Sequence, residues 1–245
     1  MIKAESASIS VIIPTFNAER FIAETLHSVY QQSQKPSEVI LVDDGSKDQT
    51  LTIVKEQFKE VEVVEQDHTG MPTAGRNTGL KLASSDFITF LDQDDIWPPG
   101  TLERHVKVFQ EYPEVQLSKG MVSAFVDDIG QRQTPTNQFL LSSLMLRSSV
   151  FKEVGRFDET MRFYGTDLEW IYRFREQGLP LYIHTDISLF YRLHDLNHSN
   201  DRALSLQARK ELMLRLMHRK IQAQKDQKTF HTHFNFVANS QNLSL

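Results

Sequence analysis

The sequence predicts an α/β fold with a mostly parallel central sheet flanked by helices. Two observations lead to this prediction. Over roughly the first hundred residues, short apolar segments of strand length alternate with longer amphipathic segments of helical spacing, which is typical of parallel strands joined by right-handed crossovers. Acidic and polar residues also follow directly after several of the apolar segments. Because the carboxyl ends of parallel strands meet at one edge, these residues are expected to form one site.

Each apolar segment of the first hundred residues is short, rich in β-branched residues and ended by turn-forming residues. Pro14 stops the first of them, and Ser46 is a candidate cap for the helix that follows the second. The predicted strands are 9–13, 37–42, 61–65 and 86–91. The predicted helices are 18–32 and about 48–59, and residues 70–83 are predicted to hold a Gly-rich loop that leads into a third helix.

The pattern after residue 100 is less regular. We predict helices over 101–112, 148–154 and 163–177 and extended segments over 115–126 and 179–191, while 139–146 is apolar without a clear period. Residues 202–225 are basic and apolar at helical spacing and predict a C-terminal helical extension. Packing on the domain is the default expectation for this helix, and contact with a second chain or with an anionic membrane surface are the alternatives.

Composition excludes several classes of protein. The chain has 245 residues, a net charge of −5 and no cysteine, so disulfides, thiolate zinc sites and a cysteine nucleophile are not available. The acidic balance gives no reason to expect a nucleic-acid partner. No apolar run approaches the ~20 residues of a membrane span, and the first residues do not resemble a signal peptide. We therefore expect a cytoplasmic protein, acting in solution or at the inner face of the membrane.

The acidic cluster after strand 86–91 is the strongest candidate site. Three of the four residues from 92 to 95 carry carboxylates, namely Asp92, Asp94 and Asp95. Hard divalent cations take oxygen ligands of this kind. A solvated acidic turn is the alternative, and it is the commoner origin of an isolated Asp-x-Asp. Polar residues after strands 9–13 and 37–42 are expected at the same edge, which favours the binding site.

Four other residues have both a functional and a structural interpretation. Asp44 can accept from a nucleobase N–H or end a strand in a turn. Arg76 lies in a Gly-rich segment that lacks both the P-loop lysine and the dinucleotide-binding spacing; it can bind a diphosphate or lie on the surface. Asp167 is a candidate general base or a helix-capping carboxylate. His194 is a candidate metal or phosphate ligand or a structural histidine.

Seven short motifs occur in order between about residues 8 and 200. As a set they resemble the family 2 glycosyltransferases, although each is weak alone. The resemblance implies a GT-A fold with a Rossmann-like sheet and an inverting sugar transfer from a nucleotide sugar. The motifs are IIPTFN at 12–17, VDDGS at 42–46, AGRNTG at 74–79, FLDQDD at 90–95, GRFDE at 155–159, TD at 166–167 and YRLH at 191–194.

The resemblance also implies roles for single residues. Asp167 is implied as the catalytic base, although the family has glutamate where this chain has Thr166. Asp94, with His194 beside it, is implied to hold a Mg²⁺ or Mn²⁺ ion on the donor diphosphate, and Asp92 to face the ribose. The residues implied to hold or approach the nucleotide are Pro14, Thr15, Phe16, Asn17, Asp44 and Arg76.

The expected domain organisation and partners follow from these roles. Residues 1–200 form the predicted glycosyltransferase domain, with a nucleotide-sugar half at about 8–100 and an acceptor half at 101–200, and 201–245 form the extension. The expected donor is a nucleotide sugar, with UDP favoured because Asp44 suits a base that carries an N–H. The expected acceptor is a glycan or a lipid-linked saccharide in polysaccharide or cell-surface glycan assembly.

Two alternative functions remain. A nucleotidyltransferase also places carboxylates and a metal after parallel strands, but it should have a basic Gly-rich loop after the first strand, where this chain has Pro14–Asn17. A catalytically weak module that binds a nucleotide sugar or glycan is favoured only by Thr166.

Overall fold

A computed structural model describes residues 7–161, 165–195 and 202–225. Within these residues a seven-stranded sheet has the order β3-β2-β1-β4-β6-β5-β7 and is flanked by helices. The strands are β1 (Ile9–Thr15), β2 (Glu38–Asp43), β3 (Glu62–Glu65), β4 (Phe87–Phe90), β5 (Leu117–Phe125), β6 (Leu144–Arg147) and β7 (Leu181–Arg192). The helices are α1 (Ile22–Tyr30), α2 (Thr50–Gln57), α3 (Pro72–Leu82), α4 (Thr101–Glu111), α5 (Val150–Glu153), α6 (Thr166–Glu176) and α7 (Arg202–Lys225).

The predicted parallel arrangement of the first four strands is confirmed. Strand β1 pairs in parallel with both β2 and β4, so Ile12 lies between Ile40 and Phe90. Strand β3 extends the same arrangement beyond β2. The loops after β1, β2 and β4 therefore lie at one edge of the sheet.

Strand β6 was not predicted, and it makes the sheet mixed. It runs antiparallel to both β4 and β5, while β5 and β7 are parallel. The strand has four residues, and Leu144, Met145 and Leu146 are all buried. A segment this short, buried on both faces, has no alternation that periodicity can detect.

Apolar layers cover both faces of the sheet. On one face, residues such as Ile13 and Phe87 pack with Leu26 of α1 and Phe109 of α4. On the other face, a second cluster includes Trp170 of α6. Because side chains alternate along a strand, neighbouring residues of the central strands serve different layers.

Several helices begin later along the chain than predicted. Helix α1 begins at Ile22 rather than at 18, because Ala18 opens a turn whose carbonyl accepts from Phe21 and Ile22. Helix α2 begins at Thr50, and Ser46 does not cap it; the Ser46 hydroxyl contacts Asp43 Oδ1.

Helix α7 bears out the helix expected over 202–225, whereas 226–245 lie outside the described residues. No helix in the described part of the chain is long and apolar enough to span a membrane.

Candidate active site at the carboxyl edge of the sheet

The loop after β4 is tied to the loop after β1 by one side chain. Gln93 accepts from the backbone N–H of Phe16 at 2.6 Å and donates to the Phe16 carbonyl at 3.1 Å. The Thr25 hydroxyl donates to the Gln93 carbonyl at 2.8 Å. The Asp92–Asp95 turn is thereby fixed against the β1 loop, as expected for residues at a common edge.

Arg76 connects two of the predicted carboxylates. Its Nη2 donates to Asp92 Oδ1 at 2.7 Å and its Nη1 donates to Asp167 Oδ1 at 2.9 Å. Arg76 lies within α3 and is buried, so its guanidinium is shielded from solvent. The fork geometry of arginine allows one side chain to join carboxylates from separate halves of the chain.

Asp167 occupies the first turn of α6, as predicted. The residue before the first residue of α6, Gly165, has φ of 100°, a conformation that favours glycine. Burial raises the pKa of the Asp167 carboxyl, and the charge of Asp92 raises it further, while Arg76 and a hydrogen bond from Thr166 lower it. Thr166 Oγ1 lies 3.3 Å from Asp167 Oδ1, so the residue that replaces the family's glutamate contacts the predicted base.

Asp94 and His194 form a second pair at the same edge. The Nε2 atom of His194 lies 2.8 Å from Asp94 Oδ2, which joins the β4 loop to the residues after β7. Burial raises the pKa of the Asp94 carboxyl, the charge of Asp92 adds to this effect, and His194 opposes it. The structure thus brings together two predicted site residues that are one hundred positions apart in sequence.

Asp95 is the most deeply buried of the three carboxylates. Its Oδ1 accepts from the backbone N–H of Arg192 at 3.0 Å, and Arg192 Nε donates to the Asp94 carbonyl at 2.9 Å. Burial and then the charges of Asp94 and Asp92 raise the pKa of the Asp95 carboxyl well above its usual range. The end of β4 is therefore a region of crowded negative charge.

Asp44 is fully engaged by protein donors. Its carboxylate accepts from Gln66 Nε2 at 2.7 Å, from the Thr69 backbone and hydroxyl at 3.0 and 2.9 Å, and from the Gly70 backbone at 2.9 Å. These hydrogen bonds lower the pKa of the Asp44 carboxyl, although burial opposes them. The aspartate predicted to meet a nucleobase thus fastens the 66–70 loop to the end of β2.

The β1 loop presents one aromatic ring to this region. Phe16 stacks on His68 with ring centroids 4.2 Å apart. Asn17 has φ of 48°, and its side chain accepts from the Lys47 backbone at 2.8 Å. Pro14 and Thr15 are buried, and the Thr15 hydroxyl donates to the Ile13 carbonyl. Of the four predicted loop residues, only Phe16 and Asn17 are exposed.

The donor set for a cation is small. Among the described residues, no cluster of three or more His, Cys, Asp or Glu side chains is arranged to hold a metal ion. The Asp94–His194 pair offers a carboxylate oxygen and an imidazole nitrogen. Phosphate-associated cations are commonly held by one or two protein ligands with substrate phosphates completing the shell, so a two-ligand site fits such a cation.

Three residues that make contacts at this edge were not among the candidates from the sequence: Gln93, His68 and Arg192. Gln93 lies inside the acidic motif and Arg192 inside the YRLH motif, so the motif positions themselves were the available signal. His68 lies in no motif, and no signal in the sequence indicated its stacking on Phe16.

The family model for glycosyl transferase family 2 matches residues 10–170, well over half of the chain. The chain belongs to this family. The matched segment contains the candidate site residues Asp44, Arg76, Asp92, Asp94 and Asp167, whereas His194 lies outside it.

Curated relatives of this chain include proteins named as glycosyltransferases. The chain is 30% identical over 203 residues to the GalNAc(5)-diNAcBac-PP-undecaprenol beta-1,3-glucosyltransferase of Campylobacter jejuni, covering 74% of this chain and 64% of that protein. It is 34% identical over 101 residues to the Escherichia coli UDP-Glc:alpha-D-GlcNAc-diphosphoundecaprenol beta-1,3-glucosyltransferase WfgD, covering 41% of this chain and 40% of WfgD. Glycosyltransferase GlyA of Streptococcus pneumoniae is 34% identical over 126 residues, which are 50% of this chain and 18% of GlyA. The chain therefore spans less than two thirds of each of these three relatives.

Solved structures support the GT-A fold. S. aureus TarS 1-349 in complex with UDP-GlcNAc superposes with a TM-score of 0.66 at 23% identity, covering 79% of this chain and 61% of that one. The same fragment in complex with UDP gives a TM-score of 0.64 at 24% identity, covering 76% and 60%. The predicted fold class is confirmed.

Proposed function

We propose that this glycosyltransferase moves a sugar from a nucleoside-diphosphate sugar, with UDP favoured, to an acceptor hydroxyl with inversion at the anomeric carbon. The observation that carries the proposal is the Arg76 bridge, because it brings the candidate base Asp167 beside the acidic edge of the sheet. A single displacement needs a base on the acceptor side and a charge-stabilised leaving group on the other.

Asp167 acts as the general base. It takes the proton of the acceptor hydroxyl as that oxygen bonds to the anomeric carbon, while the bond from that carbon to the diphosphate oxygen breaks. Its raised pKa suits this task, because a base is most effective when its pKa approaches the operating pH. Thr166 and Arg76 orient the carboxylate before the acceptor arrives.

Arg76 has a second function at the donor. Its Nε is buried and has no hydrogen-bond partner among the described residues, so a small shift of the side chain would be needed before this N–H could donate to an oxygen of the nucleotide. Asp92, held by Nη2 of the same guanidinium, faces the ribose side.

Asp94 and His194 would hold a divalent cation, Mg²⁺ or Mn²⁺. The bound ion would offset the negative charge that develops on the leaving diphosphate. Asp95 and Arg192 support the pair by fixing the backbone of the turn.

The preference for UDP has two supports. An aspartate at the end of β2 suits a base with an N–H group, and the TarS 1-349 structures were solved in complex with UDP and with UDP-GlcNAc. Binding of a base by Asp44 would require at least one donor of the 66–70 loop to leave its carboxylate. Phe16, stacked on His68, supplies an aromatic surface for the base.

The acceptor we propose is a lipid-linked saccharide of a cell-surface glycan pathway. The support comes from the relatives whose names specify diphosphoundecaprenol or PP-undecaprenol acceptors. A protein that meets such an acceptor works next to a membrane, which fits the expected position at the inner face.

The test combines a donor screen with one substitution. Sugar transfer is measured with UDP, dTDP and GDP sugars and Mg²⁺ or Mn²⁺, using diphosphoprenol-linked saccharides as acceptors. With the active pair, Asp167→Asn should lower kcat by about 10²–10⁴-fold while the dissociation constant for the nucleotide stays within about twofold. Asp195→Asn, at an exposed carboxylate that pairs with Arg20, is the matched control and should transfer at the wild-type rate.

Three outcomes would contradict the proposal. An Asp167→Asn enzyme with wild-type kcat would exclude the general-base role. A wild-type protein that binds nucleotide sugars but transfers to no acceptor would indicate a binding module. Formation of a nucleotide sugar from a sugar phosphate and a nucleoside triphosphate would indicate the nucleotidyltransferase.

A further inference from the structure

Helix α7 carries an apolar stripe that the rest of the described chain does not cover. Met213, Met217 and Ile221 recur at intervals of four residues, and Leu214 is three positions before Met217, so the four share one helical face. Their exposed fractions are 61%, 53%, 45% and 57%. Four large apolar side chains exposed together on one face are unusual for a soluble surface and mark an interaction site.

The opposite face of α7 is docked onto the domain. Leu212 is buried near Gly165, and Arg215 pairs with Asp158. Arg219 pairs with Glu169 and Glu176 of α6. The helix is therefore held by its inner face to the helix that carries Asp167, and its apolar stripe is turned away.

The charges around the stripe have one sign. Lys210 and Lys220 are exposed, and Lys210 precedes Met213 and Leu214 by three and four positions, so it lies on the same face. Between Lys210 and Ile221 the sequence has one acidic residue, Glu211, which pairs with Arg215. This outer face combines apolar and cationic side chains in a chain of net charge −5.

We infer that the outer face of α7 docks on an anionic lipid surface. The apolar stripe enters the boundary between headgroups and acyl chains, and Lys210 and Lys220 contact the negative headgroups. A second copy of the chain is a poorer partner, because a symmetric contact would bring the cations of both stripes together with no carboxylate on the face to pair with them.

The test measures co-sedimentation of the full chain with vesicles. One set contains phosphatidylglycerol and phosphatidylcholine in equal amounts, and the other contains phosphatidylcholine alone. No sugar, nucleotide or lipid-linked acceptor is present, so the result is independent of the proposed sugar transfer. The variants are Met217→Glu/Ile221→Glu, which puts carboxylates into the stripe, and Lys210→Gln/Lys220→Gln, which removes the cations.

The wild type should bind the anionic vesicles and bind phosphatidylcholine at least about tenfold more weakly. The double glutamate variant should lose at least about tenfold in affinity for anionic vesicles, and the double glutamine variant about fivefold for each lysine. Leu82→Glu/Val126→Glu is the matched control, because it adds the same charge at exposed apolar residues elsewhere, and it should retain most of the wild-type affinity.

Three results would overturn the inference. The first is a wild-type protein that does not sediment with anionic vesicles. The second is equal binding of these vesicles by the double glutamate variant and the wild type. Sedimentation velocity that shows a dimer which Met217→Glu/Ile221→Glu dissociates, with no vesicle binding, would assign the stripe to a second copy. Circular dichroism of each variant verifies that α7 and the domain remain folded.

Discussion

Arg76 Nη1 lies 2.9 Å from Asp167 Oδ1, so the arginine of the donor half holds the candidate base of the acceptor half. The same guanidinium reaches Asp92 at 2.7 Å. A change in the charge of Arg76 is therefore felt by Asp167 directly. The pairing joins two residues that lie 91 positions apart in sequence.

Arg76→Met should shift the acidic limb of the pH profile of kcat to higher pH. Arg76 lowers the pKa of Asp167, so its removal raises that pKa, and the deprotonated base is then available only at higher pH. At pH values below the shifted limb, we expect kcat to fall at least about tenfold. The profile is measured at saturating donor and acceptor.

Arg104→Met is the matched control for Arg76, since the hydrogen bonds of Arg104 go to the carbonyls of Pro99 and Ile187 and to a hydroxyl. It should leave the position of the acidic limb unchanged. A limb at the wild-type pH in Arg76→Met would contradict the coupling.

His194→Ala should abolish the dependence of donor binding on a divalent cation. We expect Mn²⁺ to tighten UDP binding to the wild type, because Asp94, His194 and the diphosphate would share the proposed ion. In the variant this enhancement should fall at least about tenfold, while UDP affinity without metal stays within about threefold. Isothermal titration calorimetry with and without Mn²⁺ measures both values, and His27→Ala, at an exposed histidine of α1, is the control. An unchanged Mn²⁺ effect in His194→Ala would exclude this residue as a ligand.

Asp44→Ala should release the 66–70 loop. The carboxylate accepts from Gln66, Thr69 and Gly70, and a hydrogen bond to a charged group makes a net contribution to stability of about 1.5–3 kcal/mol. We expect the free energy of unfolding to fall by about 2–4 kcal/mol, with faster hydrogen exchange at the Thr69 and Gly70 amides.

The control for Asp44 is Asp67→Ala, at an exposed residue of the same loop, and it should change stability by no more than about 0.5 kcal/mol. Slow amide exchange at Thr69 and Gly70 in Asp44→Ala would show that the loop is held by other contacts.

Stability should fall in acid because of two buried histidines. Burial lowers the pKa of His184 to about 4, and it lowers the pKa of His105 well below its usual range, with the charge of the neighbouring histidine adding to the effect. In the unfolded chain these histidines bind protons near pH 6.5, whereas in the folded chain they bind protons only at lower pH. The free energy of unfolding therefore decreases as pH falls from 6.5 toward 4. His184 alone should contribute about 3 kcal/mol across that window.

Urea unfolding at several pH values measures this slope. His184→Gln should give a shallower slope between pH 6.5 and 4 than the wild type, whatever its absolute stability. His27→Gln is the control, because His27 is an exposed histidine of α1, and this variant should keep the wild-type slope. Equal slopes in wild type and His184→Gln would contradict the assignment.

Much of the fold followed from local pattern, and the failures have physical causes. Strands β1 to β4 are apolar, bounded by turns and joined by helices, so their parallel pairing was predictable. The convergence of Asp44, Asp92 and Asp94 on one edge follows from that pairing. Strand β6 was not predicted because its four residues are too few to show a hydrophobic period. No rule of local sequence requires an antiparallel strand between β4 and β5.

The contacts within the site were harder to predict than its location. The proximity of Asp94 to His194 was suggested by the family resemblance, whereas the Arg76–Asp167 bridge depends on how α6 packs against the sheet edge. The saturation of Asp44 by the 66–70 loop was not foreseen, because that loop has no periodic pattern. The domain boundary at residue 200 and the cytoplasmic location stay predictions.

The position of β6 also has a consequence for the order in which the chain folds during synthesis. Strand β5 leaves the ribosome before β6, yet β6 lies between β5 and β4 in the sheet. The edge of β4 therefore stays unpaired until residues 144–147 emerge. Strands β5 and β7 can join the sheet only beyond β6, on the side away from β4. A nascent chain that stops short of Arg147 exposes the edge of β4, and an unpaired edge of this kind invites pairing with other chains.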